Sequence, residues 1–231
     1  MKRILSLVLL TVISLSCHRE LEAPAGSQGT LTVSVSSAGV KSVYDGTSVL
    51  WEKGDRIGVF EGNRMYYCTS DASGAEVTFK GDVPVADSYM MMYPYDESAT
   101  LSGASISAAI PSVQSVRPGT FAPDANLSVA ISAKTGEPNI HSAIFRNVGA
   151  YLKFQIDSED SGVSKIIFRP VGSEKLSGNI SVELASSDEI SVGGGSIDSL
   201  AVIPVTGEVF VQGTYYAVVL PTELSGGLKV T

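Results

Sequence analysis

Residues that carry chemistry are scarce in this 231-residue chain. It contains two cysteines, two histidines and one tryptophan. Cys17 and Cys68 stand alone, and His18 and His141 are far apart in the sequence. So few thiols and imidazoles exclude a disulfide framework and do not predict a metal site.

Motifs of the common enzyme classes are missing as well. No Gly-x-Ser-x-Gly elbow occurs, and the glycine run at residues 193–195 lacks the strand-to-helix context of a phosphate loop. Three acidic pairs, at residues 96–97, 159–160 and 188–189, lie in predicted loops beside serines. Solvated charge is the ordinary role of such pairs. We therefore expect no enzyme activity, no cofactor and no metal.

Positive charge is the minority sign, with 16 basic against 24 acidic residues and a formal net charge of -8. An acidic surface repels phosphate backbones and anionic headgroups. We therefore expect no nucleic-acid partner, and no membrane contact except through a lipid anchor.

Helical periodicity is also lacking, because no stretch of eleven or more residues keeps its apolar positions at a 3.6-residue period. Short alternating runs recur instead, with residues 30–36 and 176–184 as the clearest, and turn residues separate them. The run Met90-Met91-Met92 does not alternate, which predicts a strand buried on both faces. A methionine-lined binding surface is the alternative. The pattern predicts an all-β chain.

The first 17 residues form a separate signal. Lys2 and Arg3 precede an apolar run that is too short to span a bilayer, and Ser14-Leu15-Ser16 precedes Cys17. This predicts a secretory signal peptide. The small residues before Cys17 resemble the lipobox of bacterial lipoproteins, although Ser14 stands where leucine is usual, and they predict lipidation of Cys17. Ordinary cleavage that releases a soluble protein is the alternative.

The stretch from Leu50 to Phe60 predicts a strand, a turn and a second strand. Trp51 is large enough to anchor a core. Gly54 can adopt a positive φ, and the Asp55 side chain can accept hydrogen bonds from nearby backbone amides. None of these residues is catalytic by type, so we expect the stretch to be structural.

The rest of the chain divides by its turn signals. Residues 18–29 predict a tether, residues 30–139 an N-terminal β-sandwich and residues 140–231 a C-terminal one, with residues 133–139 as the linker. The Ser- and Pro-rich passage at residues 104–123 predicts surface crossings that are extended or edge-like, and residues 193–195 predict a glycine-rich hairpin. A last strand begins at Gly227. We expect it to lack a hairpin partner, which leaves the second sandwich incomplete at its C-terminus; pairing with an internal strand is the alternative.

Several loose motifs occur together with the lipobox-like leader. They are Leu50-Trp51 with Gly54-Asp55, Tyr93-Pro94-Tyr95, residues 143–147 leading into residues 151–154, and residues 215–221. In combination they resemble the fimbrillin family, the pilins and fimbrillin-like surface lipoproteins of Bacteroides-type bacteria. The resemblance covers nearly all of the mature chain. It implies two tandem transthyretin-like β-sandwich domains and a lipoprotein exposed on the outer membrane, as part of a fimbria or otherwise.

The resemblance also implies polymerisation by donor-strand addition after a protease removes an N-terminal strand. On this chain the removed strand would be residues 30–36, and Lys41 or Lys53 would be the cleavage site. Family members usually continue beyond the position of Thr231, and in pilins a C-terminal strand is the donor. A stalk, tip, anchor or non-fimbrial role therefore stays open, with other fimbrillin-like subunits or host glycans as partners.

A surface module that binds a glycan or another ligand is the alternative function. Its candidate platform consists of Trp51, Tyr93 and Tyr95, because exposed aromatic rings stack on sugar faces. Burial of these rings would remove the platform.

Overall fold

The computed structural model describes residues 28–36, 50–158, 161–186, 189–205 and 208–231. Within these ranges the chain is all-β, as predicted, with one 3-10 turn at Pro123–Ala125. The strands are β1 (Gln28–Ser36), β2 (Arg56–Glu61), β3 (Arg64–Ser70), β4 (Glu76–Pro84), β5 (Met90–Tyr93), β6 (Thr100–Ser102), β7 (Ser105–Ile110), β8 (Val113–Val116), β9 (Ser128–Ile131), β10 (Ala133–Lys134), β11 (Ile140–Ile144), β12 (Arg146–Asn147), β13 (Ala150–Ile156), β14 (Ile166–Pro170), β15 (Gly178–Leu184), β16 (Ile190–Gly194), β17 (Leu200–Pro204), β18 (Gly213–Val219) and β19 (Leu228–Val230).

Nine of these strands form one sheet, called sheet 1, in the order β10-β11-β1-β4-β3-β2-β5-β9-β12. Its two ends are halves of a single hairpin. β10 follows β9 after Ser132 and β12 follows β11 after Phe145, and the pairs Val129–Arg146 and Ala133–Ser142 keep one antiparallel register. Sheet 1 therefore closes on itself, which leaves β1 no free edge.

The side chains that point into closed sheet 1 form the inner core. They come from alternate positions because side chains on a strand point to opposite faces in turn. On β1 they are Leu31, Val33 and Val35, which are buried, and Trp51 joins them from the segment before β2. The remaining buried members are Ile57, Val59, Cys68, Val77, Phe79, Val83, Tyr89, Met91, Ala130, Ala143 and Phe145.

Sheet 2 has the order β16-β15-β7-β6. Its side chains and those on the outer face of part of sheet 1 together supply most of a second group of buried residues, the middle core. Met92 and Phe60 belong to this core, whereas Met91 belongs to the inner core. The predicted burial of the methionine strand on both faces is therefore confirmed, and a methionine-lined binding surface is excluded. β15 alternates buried and exposed residues throughout, as its sequence predicts.

The distal core contains side chains of sheet 3, with the order β19-β14-β17-β8, and of sheet 4, which consists of β13 and β18. Phe154, which is partly buried, packs against three fully or almost fully buried rings of this core: Phe168, Phe210 and Tyr215. The passage predicted as a surface crossing contains β8, which pairs in parallel with β17 and buries Gln114. β8 is the last strand in the order of sheet 3, which agrees with the predicted edge-like character. The burial of Gln114 was not predicted, because side-chain hydrogen bonds, not hydrophobicity, place Gln114 inside.

Strand pairing crosses the predicted division between residues 139 and 140. β1 pairs with β11, and β7 and β8 pair with β15 and β17. Residues 133–139 are not an extended linker, because they form β10 and the turn of the hairpin, where Thr135 N–H donates to the Ile140 carbonyl at 3.0 Å. The division into two domains stays a prediction. Backbone hydrogen bonds between paired strands join the two predicted parts.

Two predictions about turns and partners were wrong. Gly193 and Gly194 lie within β16, opposite Ser181 and Ile180, and the connection between β15 and β16 lies at residues 185–189. The short last strand does have a partner: β19 pairs antiparallel with β14, and the backbones of Thr231 and Ile167 exchange two hydrogen bonds. The alternative of an internal partner is thus the correct one.

Candidate functional site: the β1 groove

Strand β1 fills a channel between β4 and β11, which we call the β1 groove. On one side it pairs antiparallel with β4 over nine residues, from Gln28 opposite Pro84 to Ser36 opposite Glu76. On the other side it pairs in parallel with β11 from Thr32 to Ser36. From Thr32 to Ser36 the backbone of β1 is therefore paired on both sides, as in the middle of a sheet, whereas residues 28–31 are paired with β4 alone.

The inward residues of β1 each have a distinct counterpart across the groove. Leu31 lies opposite Gly81, where an added Cβ would be 2.3 Å from the Tyr67 carbonyl oxygen. Val33 lies between Phe79 and His141. Full burial of an aliphatic side chain contributes about 1.5–3 kcal/mol, so the three inward side chains of β1 stabilise its place in the groove.

Trp51 packs next to this groove. Its ring contacts Phe79, Tyr93 and Phe145 edge-on, at centroid distances of 5.2, 4.8 and 5.6 Å. Phe79 is also the cross-strand partner of Val33. Trp51 therefore supports the wall of the β1 groove through Phe79, and its predicted role as a core anchor is confirmed.

The turn after Trp51 has the predicted geometry. Gly54 has a φ of +95°, and the Asp55 carboxylate accepts a hydrogen bond from Glu52 N–H at 2.8 Å. Lys53 has an exposed side chain, but its backbone N–H donates to Ser73 Oγ at 2.9 Å. Of the two candidate cleavage sites, Lys53 thus lies in a hydrogen-bonded turn, and Lys41 lies outside the described residues, as does Cys17.

The predicted aromatic platform does not form. Trp51 is only 7% exposed, so its ring cannot stack on a sugar. Tyr93 is half-buried, and its hydroxyl donates to Asp55 at 3.3 Å; burial, followed by the Asp55 charge, raises the pKa of Tyr93. Tyr95 is half-exposed and contacts Tyr67, not the other two residues of the platform. Trp51 lies in the inner core and Tyr93 packs against it, so the burial expected of strand and turn aromatics removes the candidate platform.

Asp96, from the first of the three acidic pairs, has a structural role in a turn. Asp96 Oδ1 accepts hydrogen bonds from Ser98 N–H at 2.9 Å and from Ser98 Oγ at 2.7 Å, which closes the loop after β5. Residues 159, 160 and 188 lie outside the described residues. Asp96 therefore has a structural explanation that needs no catalytic role.

Metal-binding groups and long apolar helices are absent from the part of the chain that the structure describes. No cluster of three or more His, Cys, Asp or Glu side chains occurs there. The same residues include no helix that is long and apolar enough to cross a membrane.

Sequence reasoning did not identify His141 and Gly81 as members of the groove. Gly81 lies in a strand whose apolar alternation it does not interrupt, and His141 has no other histidine or cysteine near it in the sequence. The only available signal was the alternation of residues 140–144, which places His141 and Ala143 on one face.

Comparison of the chain with protein-family models, with curated proteins and with solved structures finds no match.

Proposed function

We propose that this protein is a cell-surface lipoprotein that serves as a structural or adhesive subunit of a fimbria- or pilus-type assembly and assembles by β-strand addition. The position of β1 is the observation that carries the proposal. β1 pairs with β4 on one side and with β11 on the other within closed sheet 1. The chain that continues from β1 to β2 runs first through residues 37–49.

A single cut in that segment would leave β1 in place by non-covalent contacts alone. A strand from another subunit could then replace it and gain the same main-chain hydrogen bonds to β4 and β11. Its alternate residues would fill the positions of Leu31, Val33 and Val35, since inward and outward positions alternate along a strand.

Lys41 is the cleavage site in this proposal. A protease binds its substrate as an extended segment, and the backbone at Lys53 is instead folded into the turn closed by Glu52 and Asp55. A cut at Lys53 would also separate Trp51 from the chain that carries Phe79, its neighbour in the core.

The proposal includes acylation of Cys17, a location on the outer membrane, and two transthyretin-like β-sandwiches as the finer fold. The leader sequence supports the first two, and an all-β chain with several sheets supports the third. The partners are other fimbrillin-like subunits or host glycans, and the aromatic platform no longer supports the alternative of a separate glycan-binding module.

The experiment uses a chain that lacks residues 1–36, so that the β1 groove is empty, and a synthetic peptide with the sequence of Gln28–Ser36. We expect the peptide to form a complex on gel filtration and to raise the thermal stability of the shortened chain. A Val33→Asp peptide should fail, whereas a Ser34→Asp peptide should bind, because Val33 is buried and Ser34 is exposed. Equal behaviour of the two altered peptides would refute strand addition at this groove.

A further inference from the structure

His141 is the only histidine within the described residues, and its side chain is completely buried. It lies on β11 directly beside Val33 of β1, and both side chains point into the inner core. On its other side it pairs with Lys134 of β10. One wall of the space around the imidazole is therefore strand β1.

The imidazole has one hydrogen-bond partner and lacks another. Nδ1 lies 3.1 Å from Ser132 Oγ, which itself accepts a hydrogen bond from Tyr89 N–H at 2.9 Å. Nε2 is buried and has no hydrogen-bond partner among the described residues. A protonated imidazole donates from both nitrogens, so protonation would leave one N–H of a buried cation without an acceptor.

The charged groups around His141 do not compensate for this. β1 and β9 contain no ionisable residue. β10 supplies the Lys134 cation, and the segment between β4 and β5 supplies Asp87 and the Tyr89 ring, whose centroid is 5.0 Å from the imidazole. Asp87 is exposed and forms an ion pair with Lys134 at 3.3 Å. No carboxylate among the described residues contacts the imidazole directly.

The pKa of His141 is accordingly lowered from its ordinary value of 6.5, first by burial and then by Lys134, while Asp87 acts in the opposite direction. The folded state therefore prefers the neutral form of the His141 imidazole over the protonated form. The favourable contribution is present above pH 6.5 and is lost as the pH falls below the pKa that the free side chain has.

We propose that His141 makes the retention of strand β1 in its groove dependent on pH, so that β1 stays docked near neutral pH and is released on acidification. This inference rests on the proposed role of β1 as a replaceable strand, and it names the regulation of that groove. Departure of β1 would remove Val33, the residue paired with His141 on that side, and so would open one wall around the buried imidazole to water. The other walls resist opening. β10 is continuous with β9 in the hairpin, and the Tyr89 hydroxyl donates to the Pro84 carbonyl at 2.7 Å and accepts from Ala86 N–H at 2.8 Å.

Hydrogen exchange of the full chain, read by mass spectrometry at pH 7.5 and pH 5.0, tests the proposal. Rates are normalised to those of unprotected peptides. We expect the protection of amides in β1 to fall at pH 5.0 by up to about 30-fold. That factor is the increase in the opening equilibrium constant when an imidazole of pKa near 6.5 takes up a proton only in the open form, because the constant scales with 1 + 10^(pKa − pH). Amides of β13 and β18, which form a separate sheet, should keep their protection.

Two variants remove the titration in different ways. His141→Phe fills the site with an apolar ring, and His141→Asn keeps a polar group near Ser132; in both, the fall in β1 protection should disappear. His18→Asn is the matched control, because it removes the only other histidine, and it should behave as the unaltered protein. The proposal is overturned if β1 protection is unchanged at pH 5.0, if it falls equally in the His141 variants, or if the β9–β12 hairpin opens while β1 stays protected.

The readout requires no added strand, so it separates this inference from the proposed function. Loss of β1 protection that depends on His141 supports the pH device even in a chain that binds no peptide. Peptide binding with no dependence on His141 overturns the pH device and leaves strand addition intact.

Discussion

The side-chain amide of Gln114 pairs with the backbone of Val218 as a neighbouring strand would. Gln114 Nε2 donates to the Val218 carbonyl at 2.6 Å, and Gln114 Oε1 accepts from the Val218 N–H at 2.8 Å. Gln114 is fully buried on β8, and Val218 lies on β18. One side chain thus satisfies two backbone groups of the two-stranded sheet 4 and joins it to sheet 3.

Replacement of Gln114 should therefore destabilise the protein strongly. Gln114→Ala leaves a buried N–H and a buried carbonyl without partners, at about 1–3 kcal/mol each, so we expect a loss of about 2–6 kcal/mol in the free energy of unfolding. Denaturant titration measures it. Gln155→Ala, at an exposed position of β13, is the matched control and should change the value by less than about 0.5 kcal/mol. Similar losses for both variants would contradict this role of Gln114.

Gly81 should not tolerate a side chain. Its added Cβ would lie 2.3 Å from the Tyr67 carbonyl and 2.9 Å from Cys68 Sγ, and the Tyr67 backbone cannot move without disturbing β3. We expect Gly81→Ala to cost about 1–3 kcal/mol, as overpacking of a core does. Gly193→Ala is the control, because nothing lies within 4 Å of its added Cβ. Thermal unfolding of the two variants decides, and an equally stable Gly81→Ala chain would contradict the close packing described.

Trp51 should act through packing alone. Its Nε1 is buried without a hydrogen-bond partner, so Trp51→Phe removes no hydrogen bond and should cost much less than Trp51→Ala. For the alanine variant we expect a loss of about 3–5 kcal/mol, typical of a large aromatic removed from a core. Chemical denaturation gives both values. A loss for Trp51→Phe as large as that for Trp51→Ala would show that the indole N–H has a partner.

Cys68 should be inert in the folded protein. It is fully buried, and burial, followed by the charge of Asp82, raises the pKa of its thiol from 9.0 to about 12. Because the thiolate is the reactive form, alkylation at pH 8 should be slower than for a free cysteine by at least about 1000-fold. Mass spectrometry after treatment with iodoacetamide, with and without denaturant, provides the measurement. Rapid labelling without denaturant would contradict the burial of Cys68.

Local patterns in the sequence predicted the strands but not their partners. The alternation of residues 30–36 and 176–184 identified β1 and β15, because a period of two reports which face is buried. It carries no information on which strand lies beside another. The parallel pairs β1–β11 and β8–β17 join residues that are distant in the chain, so only the folded structure shows them.

Polar residues inside the protein were the hardest to predict. Gln114 lies in a Ser- and Pro-rich passage and His141 beside a predicted linker, and composition favours exposure for both. Each is buried because a specific partner, the Val218 backbone or Ser132, satisfies part of its hydrogen-bonding capacity. The candidate site was predicted only as the strand at residues 30–36. Its groove, with Gly81, Phe79 and His141, required the tertiary structure.

The most direct test of the account is strand replacement in the full chain after one cut at Lys41. At pH 7.5 we predict that the fragment with residues 28–36 stays bound to the cut protein and that an excess of labelled peptide with that sequence replaces it, one peptide per chain. A peptide with Val33→Asp should not replace it. The account is contradicted if the cut protein never takes up the labelled peptide, or if the Val33→Asp peptide enters the groove equally well.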